Sequence, residues 1–107
     1  MLLLDNEDRV PDSPTELEMS VTESLGEKGL AAIDRALLGA TRPKWLKVAR
    51  VVHDALEVGG FSTDDEYVQV HVRRIIALVK GGTLEAQGNL LRPRFSEVRL
   101  PSRGDAV

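Results

Sequence analysis

The chain has 107 residues, 42% apolar and 29% charged, a formal net charge of −3, 4% aromatic residues and no cysteine. That is the length of one domain with little to spare, and the lack of cysteine removes disulfides and thiolate metal sites. No stretch approaches the ~20 apolar residues of a membrane helix, and Met1-Leu2-Leu3-Leu4 is too short for a signal-peptide core, so a soluble cytoplasmic protein with no membrane partner is expected.

Residues 1–15 hold two prolines and many charges without periodicity, which predicts a disordered acidic arm ahead of a domain at 16–101. Residues 1–29 carry eight acidic side chains against two basic ones, a net −6, and the rest of the chain carries +3. Such an arm is either a solvated tail or a competitor of nucleic acid for a basic face. A pI near 5.4 argues against strong nonspecific DNA binding.

Leu17, Met19 and Val21 alternate with Glu18 and Ser20, the period of a short strand with one buried face. Ser24-Leu25-Gly26-Glu27 has the form of a capping box. Leu30, Ile33 and Leu37 follow on one helical face, so a first helix is predicted at 27–38 with Gly39 as its C-cap. Thr41-Arg42-Pro43 suits the start of a second helix at 43–57. Trp45, Val48, Ala49, Val52, Ala55 and Leu56 share its apolar face, opposite Lys44, Lys47, Arg50, Asp54 and Glu57. Trp45 is expected to anchor the core, and Trp45→Ala to cost about 3–5 kcal/mol.

Val68, Val70 and Val72 alternate as a strand would, but the longer window favours a helix. Val68, Val72, Ile75, Ile76 and Val79 form one stripe. Thr63 can cap, Asp64, Asp65 and Glu66 suit the positive end of the dipole, and Gly81 closes the run after Lys80. The third helix is therefore predicted at 64–80, with Glu66, Val70, Arg73, Arg74 and Ala77 facing outward and Gln69 at the margin. Two alternating runs, 83–87 and 95–100, flank a loop at 88–94 and predict a hairpin with Arg92 and Arg94 near its tip. Residues 102–107 read as a flexible tail.

Helix, helix, helix, hairpin is the order of an α+β winged helix-turn-helix domain. The hairpin is expected to close the core through Leu84, Val98 and Leu100, with the strand at 17–21 beside its edge. The segments IDRALL, KWLKVARVVHDAL, DDEYVQVHVRRIIALVKGGTLEAQGNL and SEVRL, between Leu30 and Leu100, resemble a small bacterial domain family of unknown function. Its members often sit at the C-terminus of larger uncharacterised proteins. The most specific element is Gly-x-Leu-Glu-x-x-Gly at Gly82 to Gly88, where Gly81 is an extra glycine. The resemblance implies a winged-helix-like fold, no assigned activity, and signature polar positions at Asp65 and at Arg73 or Arg74.

Three functions follow in different classes. In DNA binding the third helix enters the major groove. Arg73 and Arg74 would read guanine and Gln69 adenine, while Arg92 and Arg94 would hold phosphates. The carboxylates Asp64, Asp65 and Glu66 at the end of the helix that approaches the bases oppose this. In protein binding, Val70 and Arg74 beside an exposed hairpin edge would meet a partner or a second copy of the chain. Catalysis has the weakest support: His53 and His71 are the only histidines, edge positions on two helices, and neither a nucleophile motif nor a phosphate loop is present. No cofactor or metal is expected. Asp34, beside the first helix's apolar face, is expected to pair with Arg73 or Arg74.

Overall fold

The computed structural model describes residues 9–101. They form three helices and a small three-stranded antiparallel sheet: α1 (Glu16–Gly39), β1 (Leu46–Lys47), α2 (Val48–Gly59), α3 (Asp65–Lys80), β2 (Glu85–Gln87) and β3 (Glu97–Arg99), with a 3₁₀ turn at Pro93–Phe95. β3 is central. Leu46 and Lys47 of β1 pair with Val98 and Glu97 on one side. Glu85, Ala86 and Gln87 of β2 pair with Arg99, Val98 and Glu97 on the other.

The first helix begins eleven residues before its expected start. Its capping box is Thr15 with Glu18, not Ser24 with Glu27: the Glu18 amide donates to Thr15 Oγ1, and the Thr15 amide donates to Glu18 Oε2. Ser24 instead donates to the carbonyl of Val21. The residues expected to form a strand at 17–21 are therefore the first turns of α1. Leu17 and Met19 are exposed and Glu18 between them is buried, so the alternation marked the solvent side. At Gly26 the backbone adopts φ 64° and ψ −171°, a region open essentially to glycine alone. This kink lets both halves of α1 stay against α3, with Val21 buried before it and Ile33 and Leu37 after it.

The second helix starts later than expected, at Val48. Pro43 and Lys44 lie in the link from α1, and Leu46 and Lys47 become the third strand. Trp45 therefore does not anchor the core. It is half-buried beside the sheet, with the Arg99 guanidinium 4.4 Å from its ring centre. The core is instead aliphatic: Ile33, Leu37, Val48, Val51, Val52, Leu56, Val68, Val72, Ile75 and Val98 are all essentially inaccessible. Small branched side chains pack closely enough to replace the missing aromatics.

The third helix matches its expected span to within one residue, although Asp64, not Thr63, occupies the cap. The hairpin forms as expected at Leu84 and Val98, both buried. Its loop folds back instead of projecting. Pro93 and Ser96 are buried, Leu90 and Leu91 pack on the core, and the Val48 amide donates to the Ser96 carbonyl. Val10, expected within the disordered arm, is fully buried, and its amide donates to the Leu91 carbonyl at 2.7 Å. Val10 thus anchors the arm, while Asp12, Ser13 and Pro14 are exposed and the expectations for residues 1–8 and 102–107 fall outside the described residues. Among the described residues no helix is long and apolar enough to cross a membrane.

Candidate functional site

The third helix carries the residues expected to read DNA, and the structure turns two of them inward. Residues 70, 73, 74 and 77 share one helical face, and α1 lies along α3. Arg73 donates from Nε to Glu18 Oε1 at 2.9 Å and from Nη2 to the carbonyl of Pro11. The Glu18 carboxylate is 1% exposed, so the capping box, the ion pair and the N-terminal segment meet at one buried point. Arg74 lies against Asp34 in a two-pronged pair, Nε to Oδ1 and Nη2 to Oδ2, both at 2.9 Å. This is the pairing expected for Asp34. The carboxylate raises the Arg74 pKa further through its hydrogen bonds, which outweighs partial desolvation. Such parallel N–H···O pairs are among the strongest charge-assisted hydrogen bonds.

Val70, expected to face outward as an interaction residue, is 2% exposed and belongs to the core. Its face is the one that carries Arg73 and Arg74, so the ion pairs that hold α1 also cover it. Gln69 is half-buried. What α3 leaves open is Asp65, Ala77 and Lys80, with Glu66 and Ile76 half-covered. That surface holds as many carboxylates as cations, or more.

Arg92 and Arg94 do lie on the β2–β3 loop, as expected, beside a residue that sequence reasoning passed over. Phe95 is 57% exposed. The guanidinium carbons of Arg92 and Arg94 stand 4.9 and 6.0 Å from its ring centre. The sequence signal was present in Arg-Pro-Arg-Phe, because a proline-initiated turn brings neighbouring side chains together. Gly88 allows the loop to close: its φ is 86°, and a Cβ there would stand 2.8 Å from the Phe95 carbonyl oxygen.

The two histidines are far apart in character. His53 is exposed, with Nδ1 3.6 Å from Asp54. His71 is wholly buried. Its Nδ1 donates to the Tyr67 carbonyl at 2.7 Å, its ring meets Phe61 edge-on at 5.3 Å, and its Nε2 has no partner among the described residues. Desolvation pushes its pKa below 6.5, against a smaller upward pull from the Tyr67 bond. Among the described residues no group of three or more His, Asp or Glu side chains gathers as a metal site.

Comparison with protein-family models, curated proteins and solved structures gave no match to this chain.

Proposed function

We propose that this chain is a winged-helix-like binding domain, non-catalytic, that docks onto protein instead of reading DNA sequence. Helix, strand, helix, helix, strand, strand with β3 between β1 and β2 is compatible with a winged-helix arrangement and supports that reading, and such a fold serves protein docking as well as DNA binding. What favours docking is the fate of Arg73 and Arg74. Both are committed to carboxylates of α1. A helix entering the major groove would have to break two ion pairs before it met a base edge, and the residues it leaves open offer no excess of positive charge to attract phosphate.

The test is fluorescence anisotropy of a labelled mixed-sequence duplex, titrated with the full chain at low and at physiological salt. No salt-dependent binding is expected. Binding that falls steeply with salt and is abolished by Arg73→Ala or Arg74→Ala would sink the docking assignment.

One observation favours a second function, contact with single-stranded nucleic acid through the loop. An exposed Phe95 with the Arg92 guanidinium 4.9 Å from its ring centre offers a stacking surface beside a phosphate partner. An oligothymidine titration that responds to Phe95→Ala and Arg92→Ala would support it.

A further inference from the structure

Four arginines of the described chain are closely matched to a carboxylate: Arg9 to Asp12 at 2.7 Å, Arg73 to Glu18 and Arg74 to Asp34 at 2.9 Å, Arg99 to Glu85 at 2.6 Å. A cleft of about 400 Å³ between the C-terminal part of α1, β1 and α2 breaks this pattern. Arg35, Arg42, Lys44 and Arg50 all line it. Among the described residues the Arg35 and Lys44 side chains have no hydrogen bond or ion pair. Arg42 spends Nη1 on the carbonyls of Gly39 and Thr41, at 2.9 and 2.7 Å. Those bonds offset the negative end of the α1 dipole and fix the guanidinium at the cleft wall. Arg50 reaches Asp54 only at 3.7 Å, with its side chain 69% exposed.

The cleft is also apolar. Leu46 lines it, half-buried, and Val58, 80% exposed, stands at its rim on α2. Asp54 and Glu57 line it from α2, so the cleft wall carries four cations against two carboxylates. A free phosphate would fill little of this volume and leave Leu46 and Val58 unused. A continuous phosphate backbone carries a charge at every unit and would set one against Asp54 and Glu57, where a peptide can place an uncharged residue. An acidic peptide with an apolar side chain satisfies each part: its carboxylates face Arg35, Arg42 and Lys44, and its apolar side chain covers Leu46 and Val58.

We infer that this cleft docks an acidic peptide segment of a partner protein, an assignment that rests on the protein-docking function proposed above. The area is small for a permanent interface, so a transient complex is expected.

The probe is a fluorescein-labelled peptide, Glu-Leu-Asp-Glu-Leu-Asp, titrated with the full chain by anisotropy, with Lys-Leu-Lys-Lys-Leu-Lys as the control. The acidic peptide should bind, more weakly at high salt, and the basic one should not. The double variant Arg35→Glu, Lys44→Glu should lower affinity by at least about tenfold. Both side chains lack partners among the described residues, so its thermal melt should match that of the parent. Val58→Asp should weaken binding as well, and Arg92→Ala should leave it unchanged. Acidic-peptide binding that survives the double variant, or equal binding of the basic peptide, overturns the cleft assignment. If binding is lost instead on Phe95→Ala or Arg92→Ala, the cleft is wrong while docking stands. If no peptide binds and the duplex does, both fail. Binding of neither also overturns the cleft.

Discussion

Glu18 is the carboxylate on which the packing of α1 against α3 turns, and replacing it gives a quantitative test. Glu18→Gln keeps the size of the side chain and can keep the cap, while it removes the charge that Arg73 faces. Breaking a buried ion pair costs about 3–5 kcal/mol when the remaining charge is fully desolvated. Arg73 keeps 20% side-chain exposure and its bond to Pro11, so part of that penalty is relieved. About 2 kcal/mol is expected for Glu18→Gln. About 3 kcal/mol is expected for Glu18→Ala, which also loses the return bond from the Thr15 amide, worth ~1 kcal/mol, while the Thr15 cap itself remains. Arg73→Met should cost more than Glu18→Gln, because it strands a carboxylate that is 1% exposed. In a domain of this size each kcal/mol moves Tm by roughly 4–8 °C. Urea unfolding followed by far-ultraviolet circular dichroism measures the terms, and the double variant should fall short of additivity by about 1.5–3 kcal/mol. A Glu18→Gln loss under about 0.5 kcal/mol, or strict additivity with Arg73→Met, would refute the role assigned to this pair.

Further outcomes follow from the same geometry. Asp34→Asn should cost about 1–1.5 kcal/mol in urea unfolding, above the ~0.5 kcal/mol of a surface change and below Glu18→Gln, because the Asp34 and Arg74 side chains are 23% and 31% exposed. Trp45→Ala should cost about 1–2 kcal/mol, not the 3–5 expected of a core anchor, since the half-buried ring loses chiefly its contact with Arg99; a larger loss in the same assay would show that the ring is buried after all. His71 carries a lowered folded-state pKa. As pH falls, the unfolded chain therefore takes up this proton first. Its contribution to stability is full above pH 6.5 and declines as pH drops through 6.5 toward the folded-state value. His71→Phe should flatten that part of the urea-midpoint profile, and an unchanged pH slope would remove His71 as the cause. Gly88→Ala should destabilise by about 1–3 kcal/mol, from a positive φ and a Cβ pressed on the Phe95 carbonyl.

The parts of the fold legible in the sequence were those where local signals and core burial agree. The third helix has a start, a stripe and a stop that coincide, and the hairpin has glycine boundaries with Leu84 and Val98 turned inward. The parts that were misread are those where tertiary packing chose between local alternatives. Leu17, Met19 and Val21 suit a strand by period, but Thr15 and Glu18 cap a helix there. Glu18 is buried only because Arg73, 55 residues away, supplies its counter-charge. Trp45 fits the apolar stripe of the second helix, yet β3 needed a partner on its free edge, and Leu46 and Lys47 provide it.

The same distinction governs the candidate site. Arg73 and Arg74 stand out in the sequence as an adjacent cationic pair on a helix, and a helical wheel with one partner assigns them to solvent. With a long α1 the wheel has two covered faces, and the second is lined by carboxylates and by the space Val70 fills. Only the Asp34 pairing anticipated this, because an acidic residue beside an apolar stripe needs a counter-charge. The cations left for a partner come from elements that looked unremarkable one at a time: Arg35 near the end of α1, Arg42 and Lys44 in a link, Arg50 on α2. They converge because β1 brings the link back across the end of α1 before α2 begins. No periodicity within a single segment encodes that convergence. The cationic cleft is thus a product of topology, and the charges most visible in the chain are spent on holding that topology together.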